Sequence, residues 1–131
     1  MIGIDTNILV RFLVGDDAKQ ANKVYRVFKD AEQNHNEIFV STLVVLELIW
    51  VLDSVYHVDR KDILDSISQL LLMPIFHFES KGVIQAFIPI AQQSNFDLSD
   101  LLIAHTANSQ GCDSVLTFDK KASKYEYFEL L

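Results

Sequence analysis

Four short apolar segments, separated by stretches with helical periodicity, are the feature of this 131-residue chain that most constrains its fold. The segments are IGI before Asp5, EIFV at 37–40, IFHF at 75–78 and SVLTF at 114–118. Between them, apolar residues recur every three or four positions, which predicts amphipathic helices. Short strands that alternate with helices are typical of α/β proteins with a parallel sheet. We therefore expect a three-layer α/β/α sandwich whose short sheet is mainly parallel.

Capping residues and helix breakers predict where these helices begin and end. The expected helices are NILVRFLV up to Gly15, a helix capped by Asp16 or Asp17, a helix from Ser41 or Thr42 to about Tyr56, DRKDILDSISQLLLM up to Pro74, residues 80–93 including Pro89, and a helix from about Leu98 to Ser109 capped by Asp97 or Ser99. A short helix and a tail are expected after the fourth strand. No linker or repeat interrupts the chain, so we expect one domain over residues 1–131.

Charge and cysteine content narrow the classes of function. The chain has 11 Lys and Arg residues against 18 Asp and Glu residues, a formal net charge of −7. This balance argues against a broad cationic surface that coats nucleic acid, although an enzyme can still hold a polyanion through metal ions. Cys112 is the only cysteine. It cannot form an intrachain disulfide, is expected to be a small buried hydrophobe, and suits a reducing cytoplasm. No apolar run approaches the ~20 residues that a membrane span needs.

Four carboxylates lie against apolar segments instead of on polar faces. Asp5 follows the first strand, and Asp119 follows the fourth. Asp100 lies in the first turn of the helix that leads into the fourth strand. Glu47 interrupts the apolar run TLVVLELIWVL, where we expect it to be buried. If these groups converge, their mutual repulsion requires a divalent cation, and oxygen ligands of this kind suit Mg²⁺ or Mn²⁺. The histidines have no ligand-like spacing and are expected to be surface or structural residues.

Each of these acids also has a structural interpretation. Asp5 can serve a turn at the strand end, and Glu47 can be ion-paired in the core or reach the surface. Asp100 can serve only the helix dipole, and Asp119 can cap the last short helix. For Asp97 we favour helix capping over metal ligation. Polar neighbours can orient the carboxylates or fill local turns; these are Thr6, Asn7 and Thr117.

Three segments in this order resemble the PIN-domain family and, more narrowly, the VapC-type toxins of bacterial toxin–antitoxin pairs. They are IDTNILVRFL, the glutamate in STLVVLELIWVL, and DLSDLLIAHTANSQGCDSVLTFDKK, and together they extend the resemblance over essentially the whole chain. The resemblance implies that the acidic metal site consists of Asp5, Glu47, Asp100 and Asp119. Asn7 and Thr117 match the family's polar residues beside the first and last of these acids.

The activity implied by the resemblance is cleavage of single-stranded RNA that depends on Mg²⁺ or Mn²⁺. A metal-activated water would attack phosphorus in line and leave a 5′-phosphate and a 3′-hydroxyl. Homodimers are common in the family, and a cognate antitoxin covers or enters the acidic pocket, for which a partner arginine would be a natural plug. Cations that would contact RNA phosphates, or simply lie on a solvated face, are Lys120, Lys121, Lys124 and Arg11.

Other classes of protein remain as alternatives. A phospho-acceptor signalling domain would need an acidic pair after the first strand and an Asp after the third, and a haloacid-type phosphatase would need D-x-D where this chain has D-T-N. Both fit poorly. A non-toxin RNA-processing nuclease and a non-catalytic binding module on the same fold are more serious rivals. Metal-dependent RNA cleavage discriminates the second of these from an enzyme.

Overall fold

The computed structural model describes all 131 residues, and it divides into two compact units, residues 1–81 and 82–131. Each unit is described separately. The elements of the first unit are β1 (Ile2–Gly3), α1 (Thr6–Val14), α2 (Ala18–Gln33), β2 (Ile38–Val40), α3 (Thr42–Ser54), α4 (Arg60–Leu72) and β3 (Phe76–Phe78). Helix α5 (Lys81–Gln92) begins at the last residue of the first unit and otherwise lies in the second, which also contains α6 (Leu98–Ser109), β4 (Val115–Thr117), a 3₁₀ helix (Ala122–Lys124) and β5 (Phe128–Leu130).

A three-stranded parallel sheet, in the order β1-β2-β3, organises the first unit. Ile38 is in register with Ile2 on one side and with Phe76 on the other. Ile38 and Val40 are almost completely buried, and Phe76 and Phe78 are buried on either side of the exposed His77. This alternation follows from the two-residue period of a strand. The sheet therefore has a covered face, and Phe28 of α2 packs against Phe76 with ring centroids 5.2 Å apart.

The second unit contains a separate two-stranded sheet in which β4 and β5 are parallel. Val115 is in register with Phe128, and Thr117 with Leu130. The predicted α/β class is thus confirmed, because six α-helices alternate with short strands and every strand pairing is parallel. The expectation that the chain ends in a short helix and a tail was wrong for the tail. Its residues 128–130 form a strand.

Side-chain caps fix several helix starts at the predicted residues. Asp17 Oδ1 accepts a hydrogen bond from Gln20 N at 3.0 Å, and Ser41 Oγ accepts one from Val44 N at 3.1 Å. Each bond satisfies one of the backbone donors that a helix start leaves unpaired. None of the helices combines the length and the apolar character needed to cross a lipid bilayer.

The exposure of Cys112 contradicts a prediction from the sequence, whereas the burial of His105 agrees with one. Cys112 is exposed, so the expected buried thiol was wrong. Its position in the loop after α6, beyond the last residue of the apolar helix face, explains this. Of the histidines, His105 alone is buried, and it is hydrogen-bonded, as expected for a structural residue.

Gly15 ends α1 in the left-handed conformation, with φ of 67°, and a side chain placed there would meet no atom within 4 Å. We predict that Gly15→Ala lowers the free energy of unfolding by about 1–2 kcal/mol through backbone strain alone. Urea denaturation measures this change. Gly82→Ala is the control, because Gly82 lies in α5 without a positive φ and also faces open space. An equal loss in both variants would contradict the strain explanation.

Candidate metal-binding site

Asp5 stands at the end of the first strand and the start of the first helix. Ile4 N, just before it, donates to Phe39 O at 3.2 Å and so continues the pairing of β1 with β2. Asp5 is the N-cap residue of α1 but its side chain makes no capping hydrogen bond. It is exposed, and its carboxylate is therefore available to an external cation. Thr6 beside it is only 4% exposed, whereas Asn7 is exposed in the same first turn.

The expected burial of Glu47 was wrong. Glu47 is exposed, and it shares a helix face with Leu43 and Trp50, which are 76% and 58% exposed. Residues four and three positions apart lie on one face of a helix. The opposite face carries the buried residues of α3, which are Val45, Leu48, Ile49 and Leu52. Apolar composition did not reveal the exposed face because the neighbouring elements cover only part of this helix.

Asp97 and Asp100 stand at the start of α6 in the second unit. Asp97 Oδ1 accepts a hydrogen bond from Asp100 N at 2.9 Å, so the capping role favoured for Asp97 is confirmed. Its second oxygen is not used in this bond. Asp100 lies in the first turn of α6, where the unpaired N–H groups favour negative charge, and its side chain is partly buried.

Asp119 is anchored by the turn that follows β4. Its Oδ1 accepts hydrogen bonds from Lys121 N at 2.8 Å and from Ala122 N at 3.1 Å. Thr117 Oγ1 accepts a hydrogen bond from Asp119 N at 3.0 Å. The turn thus fixes the direction of Asp119 and leaves Oδ2 outside these bonds. Thr117 acts on the backbone of Asp119, which is compatible with the orienting role expected for it.

The carboxylates of the second unit interact electrostatically. Burial raises the pKa of Asp100, and the negative charges of Asp97 and Asp119 raise it further. A carboxyl that is both partly desolvated and flanked by like charges resists ionisation. This arrangement leaves an unbalanced negative potential at the start of α6.

The donor chemistry of these acids fits a hard divalent cation. Carboxylate oxygens suit Mg²⁺ and Mn²⁺, and the crowding around Asp100 is the kind of charge conflict that such a cation relieves. Within neither unit do three or more Asp, Glu, His or Cys side chains stand close enough to form a complete metal site. Electrostatic coupling acts over longer distances than metal ligation, so the two observations are compatible.

The cations expected to contact substrate differ in how they are held. Lys120, Lys121 and Lys124 are exposed around the turn that begins at Asp119. Arg11, in contrast, is engaged locally. Its Nε donates to Gln20 Oε1 at 2.6 Å, and its Nη1 lies 3.3 Å from an oxygen of Asp16. The lysines are therefore the better candidates for phosphate contacts.

An apolar cavity of about 830 Å³ in the first unit has no predicted site residue in its lining. Its walls include Phe12, Tyr25, Phe28, Leu72 and Ile75. Sequence patterns class these side chains as core residues, so they give no signal for a cavity.

Comparison with known proteins decides the family. The model of the PIN domain matches residues 2–126, nearly the whole chain. The chain belongs to the PIN domain family. The similarity to VapC-type PIN domains is also confirmed by a relative named VapC ribonuclease from Aquifex aeolicus (strain VF5). This relative is 26% identical over 121 residues, which cover 92% of this chain and 89% of the relative.

The raised pKa of Asp100 in this PIN domain makes a prediction for stability without metal. The folded state binds a proton at Asp100 more tightly than the unfolded chain does, so stability falls as pH rises from the unfolded pKa through the folded one. Asp100→Asn removes this penalty. We predict a higher urea midpoint for Asp100→Asn than for the wild type at pH 7 in EDTA, with the difference disappearing below about pH 4.

Asp113→Asn is the control for this measurement, because Asp113 is an exposed loop residue and its substitution removes the same formal charge. An equal gain in the two variants, or a gain for Asp100→Asn that does not depend on pH, would contradict a local penalty on ionised Asp100 from its burial and its acidic neighbours.

Proposed function

We propose that this chain is a divalent-metal-dependent endoribonuclease that cleaves single-stranded RNA and acts as the toxin of a toxin–antitoxin pair. One combined observation carries the proposal. The PIN domain match spans residues 2–126, and the four acids that the resemblance assigns to the metal site each have a carboxylate that is exposed or partly exposed. The relative named VapC ribonuclease supports the same activity.

The proposed metal ligands are Asp5, Glu47, Asp100 and Asp119. Mg²⁺ or Mn²⁺, when bound, supplies an activated water and stabilises the charge that develops on the leaving oxygen. Asp5 and Glu47 make no hydrogen bond or ion pair that would compete for their oxygens. Asp119 is oriented by the backbone of its own turn, and Thr117 supports that turn. Asn7, exposed beside Asp5, is proposed to orient it or to hold a water.

RNA would be held by local cations, because the chain as a whole is acidic. Lys120, Lys121 and Lys124 lie within five residues of Asp119, so a phosphate next to the cleaved one would fall within reach of their flexible side chains. A site with few phosphate contacts predicts weak dependence of binding on salt. The metal then supplies the positive charge that the surface lacks.

The remaining parts of the proposal concern the protein partners of the chain and its cellular location. A cognate antitoxin would neutralise the carboxylates, and an arginine is the side chain best suited to pair with them. We also propose that the toxin acts in the cytoplasm, where its RNA substrates occur, and that it forms a homodimer.

Metal-dependent cleavage of a generic single-stranded RNA tests the activity. We predict that the wild type cleaves with Mg²⁺ or Mn²⁺, that EDTA abolishes cleavage, and that the products carry 5′-phosphates. Asp5→Asn and Asp100→Asn should each reduce the rate at least about 100-fold, because a ligand contributes at least as much as the groups that orient it.

Glu32→Gln is the control, because Glu32 is an exposed acid on α2 outside the proposed site. If Asp5→Asn cleaves as fast as the wild type, the assignment of the site is wrong. If the wild type binds RNA without cleaving it under any of these conditions, the chain is a binding module on the same fold.

A further inference from the structure

Four aromatic rings pack together in the second unit and form what we call the His105 cluster: Phe96, His105, Tyr125 and Tyr127. His105 stacks on Tyr125 with ring centroids 5.8 Å apart and contacts Tyr127 at 4.9 Å. Tyr125 also contacts Tyr127 at 5.0 Å and Phe96 at 5.3 Å. Aromatic pairs at such distances stabilise a core beyond simple area burial. Tyr125 is thus the member that touches all the others.

One hydrogen bond lies inside this cluster. Tyr125 Oη and His105 Nε2 are 2.9 Å apart, and the two residues are only 8% and 6% exposed. Burial lowers the pKa of His105, against the opposing charge of Glu126, and raises the pKa of Tyr125 to about 12. Both groups are therefore neutral at pH 7. Loss of either partner would leave a buried polar group unsatisfied.

The cluster connects the backbone segments that carry Asp97, Asp100 and Asp119. Phe96 directly precedes Asp97, and His105 lies on α6, the helix whose first turn holds Asp100. Tyr125 ends the 3₁₀ helix that follows Asp119.

The 3₁₀ segment is also tied directly to Asp119, whose carboxylate accepts N–H groups at its start. A displacement of Tyr125 would therefore be transmitted to Asp119 through the five residues 120–124.

A connection between α6 and the Asp119 turn opposes the mutual repulsion of the carboxylates that they carry. Asp97 and Asp100 at the start of α6 and Asp119 in the turn after β4 carry like formal charges within one unit. Without a cation, repulsion between like-charged carboxylates favours a larger separation between this turn and α6. A clamp made of neutral, buried groups resists this movement without adding charge of its own.

We propose that the hydrogen bond between His105 and Tyr125 is a positioning contact that holds the Asp119 turn against α6 and so sets the spacing of the Asp100 and Asp119 carboxylates. The inference rests on the proposed function, since it assigns to these two residues the preorganisation of half of the metal site. Neither residue touches the metal or the RNA. Groups that orient metal ligands typically contribute 10- to 100-fold in metal affinity.

Two tyrosines in the same cluster make a matched test. Tyr125→Phe keeps the ring and removes the hydroxyl that bonds His105, whereas Tyr127→Phe removes a hydroxyl that has no partner within the cluster. We expect Tyr125→Phe to weaken Mn²⁺ binding about 10-fold in calorimetric titration. Tyr127→Phe should bind Mn²⁺ within about twofold of the wild type.

A double-mutant cycle identifies the hydrogen bond as the unit that acts. His105→Phe keeps a stacked ring, and the double variant with Tyr125→Phe should bind Mn²⁺ no more weakly than the weaker single variant. Titrations are run well below the melting temperature of each variant, because a purely structural role would lower that temperature and leave Mn²⁺ affinity unchanged. Additive losses, or unchanged affinity in Tyr125→Phe, would overturn the proposal.

Hydrogen exchange without metal separates this inference from the proposed function. The amides of Lys121 and Ala122 bond Asp119, so they should exchange faster in Tyr125→Phe than in Tyr127→Phe or the wild type. A wild type that binds no Mn²⁺ would refute the proposed function alone. Equal exchange in all three proteins would refute the clamp, whatever the metal result.

Discussion

Like-charge repulsion at the start of α6 is the constraint on which the account of this molecule depends. Burial raises the pKa of Asp100, and the charges of Asp97 and Asp119, which different segments bring near it, raise it further. Backbone N–H groups orient two of these acids but add no net positive charge. A folded domain rarely retains such a conflict unless a ligand relieves it, which is why acids of this kind cluster at functional sites. A divalent cation is the ligand whose chemistry fits.

Local signals in the sequence predicted most of the secondary structure. The helices appear where apolar residues recur at helical spacing, and Asp17, Ser41 and Asp97 cap them as expected. Strand β5 was missed because three residues near the end of the chain carry no turn signal or extended alternation. Its pairing with β4 is a tertiary interaction, so the local sequence around residues 128–130 does not predict the strand.

The site shows the same division between local and tertiary information. Resemblance to the family motif suggested the acids, and the capping role of Asp97 followed from its place three residues before Asp100. The prediction that Glu47 is buried was wrong. An apolar composition does not show which face of the helix the neighbouring elements cover. The hydrogen bond between His105 and Tyr125 joins residues 20 positions apart, and no sequence pattern predicts it.

The central claim is that carboxylates from separate points of the chain bind one divalent cation. Anomalous X-ray scattering from crystals grown with Mn²⁺ tests it most directly, since Mn²⁺ has a distinctive signal and prefers the same oxygen ligands as Mg²⁺. We expect an anomalous peak within about 2.5 Å of carboxylate oxygens of Asp5 and Asp100, with Asp119 and Glu47 as direct or water-mediated ligands. Saturating Mn²⁺ that produces no peak at these side chains, or a peak on other residues only, would contradict it.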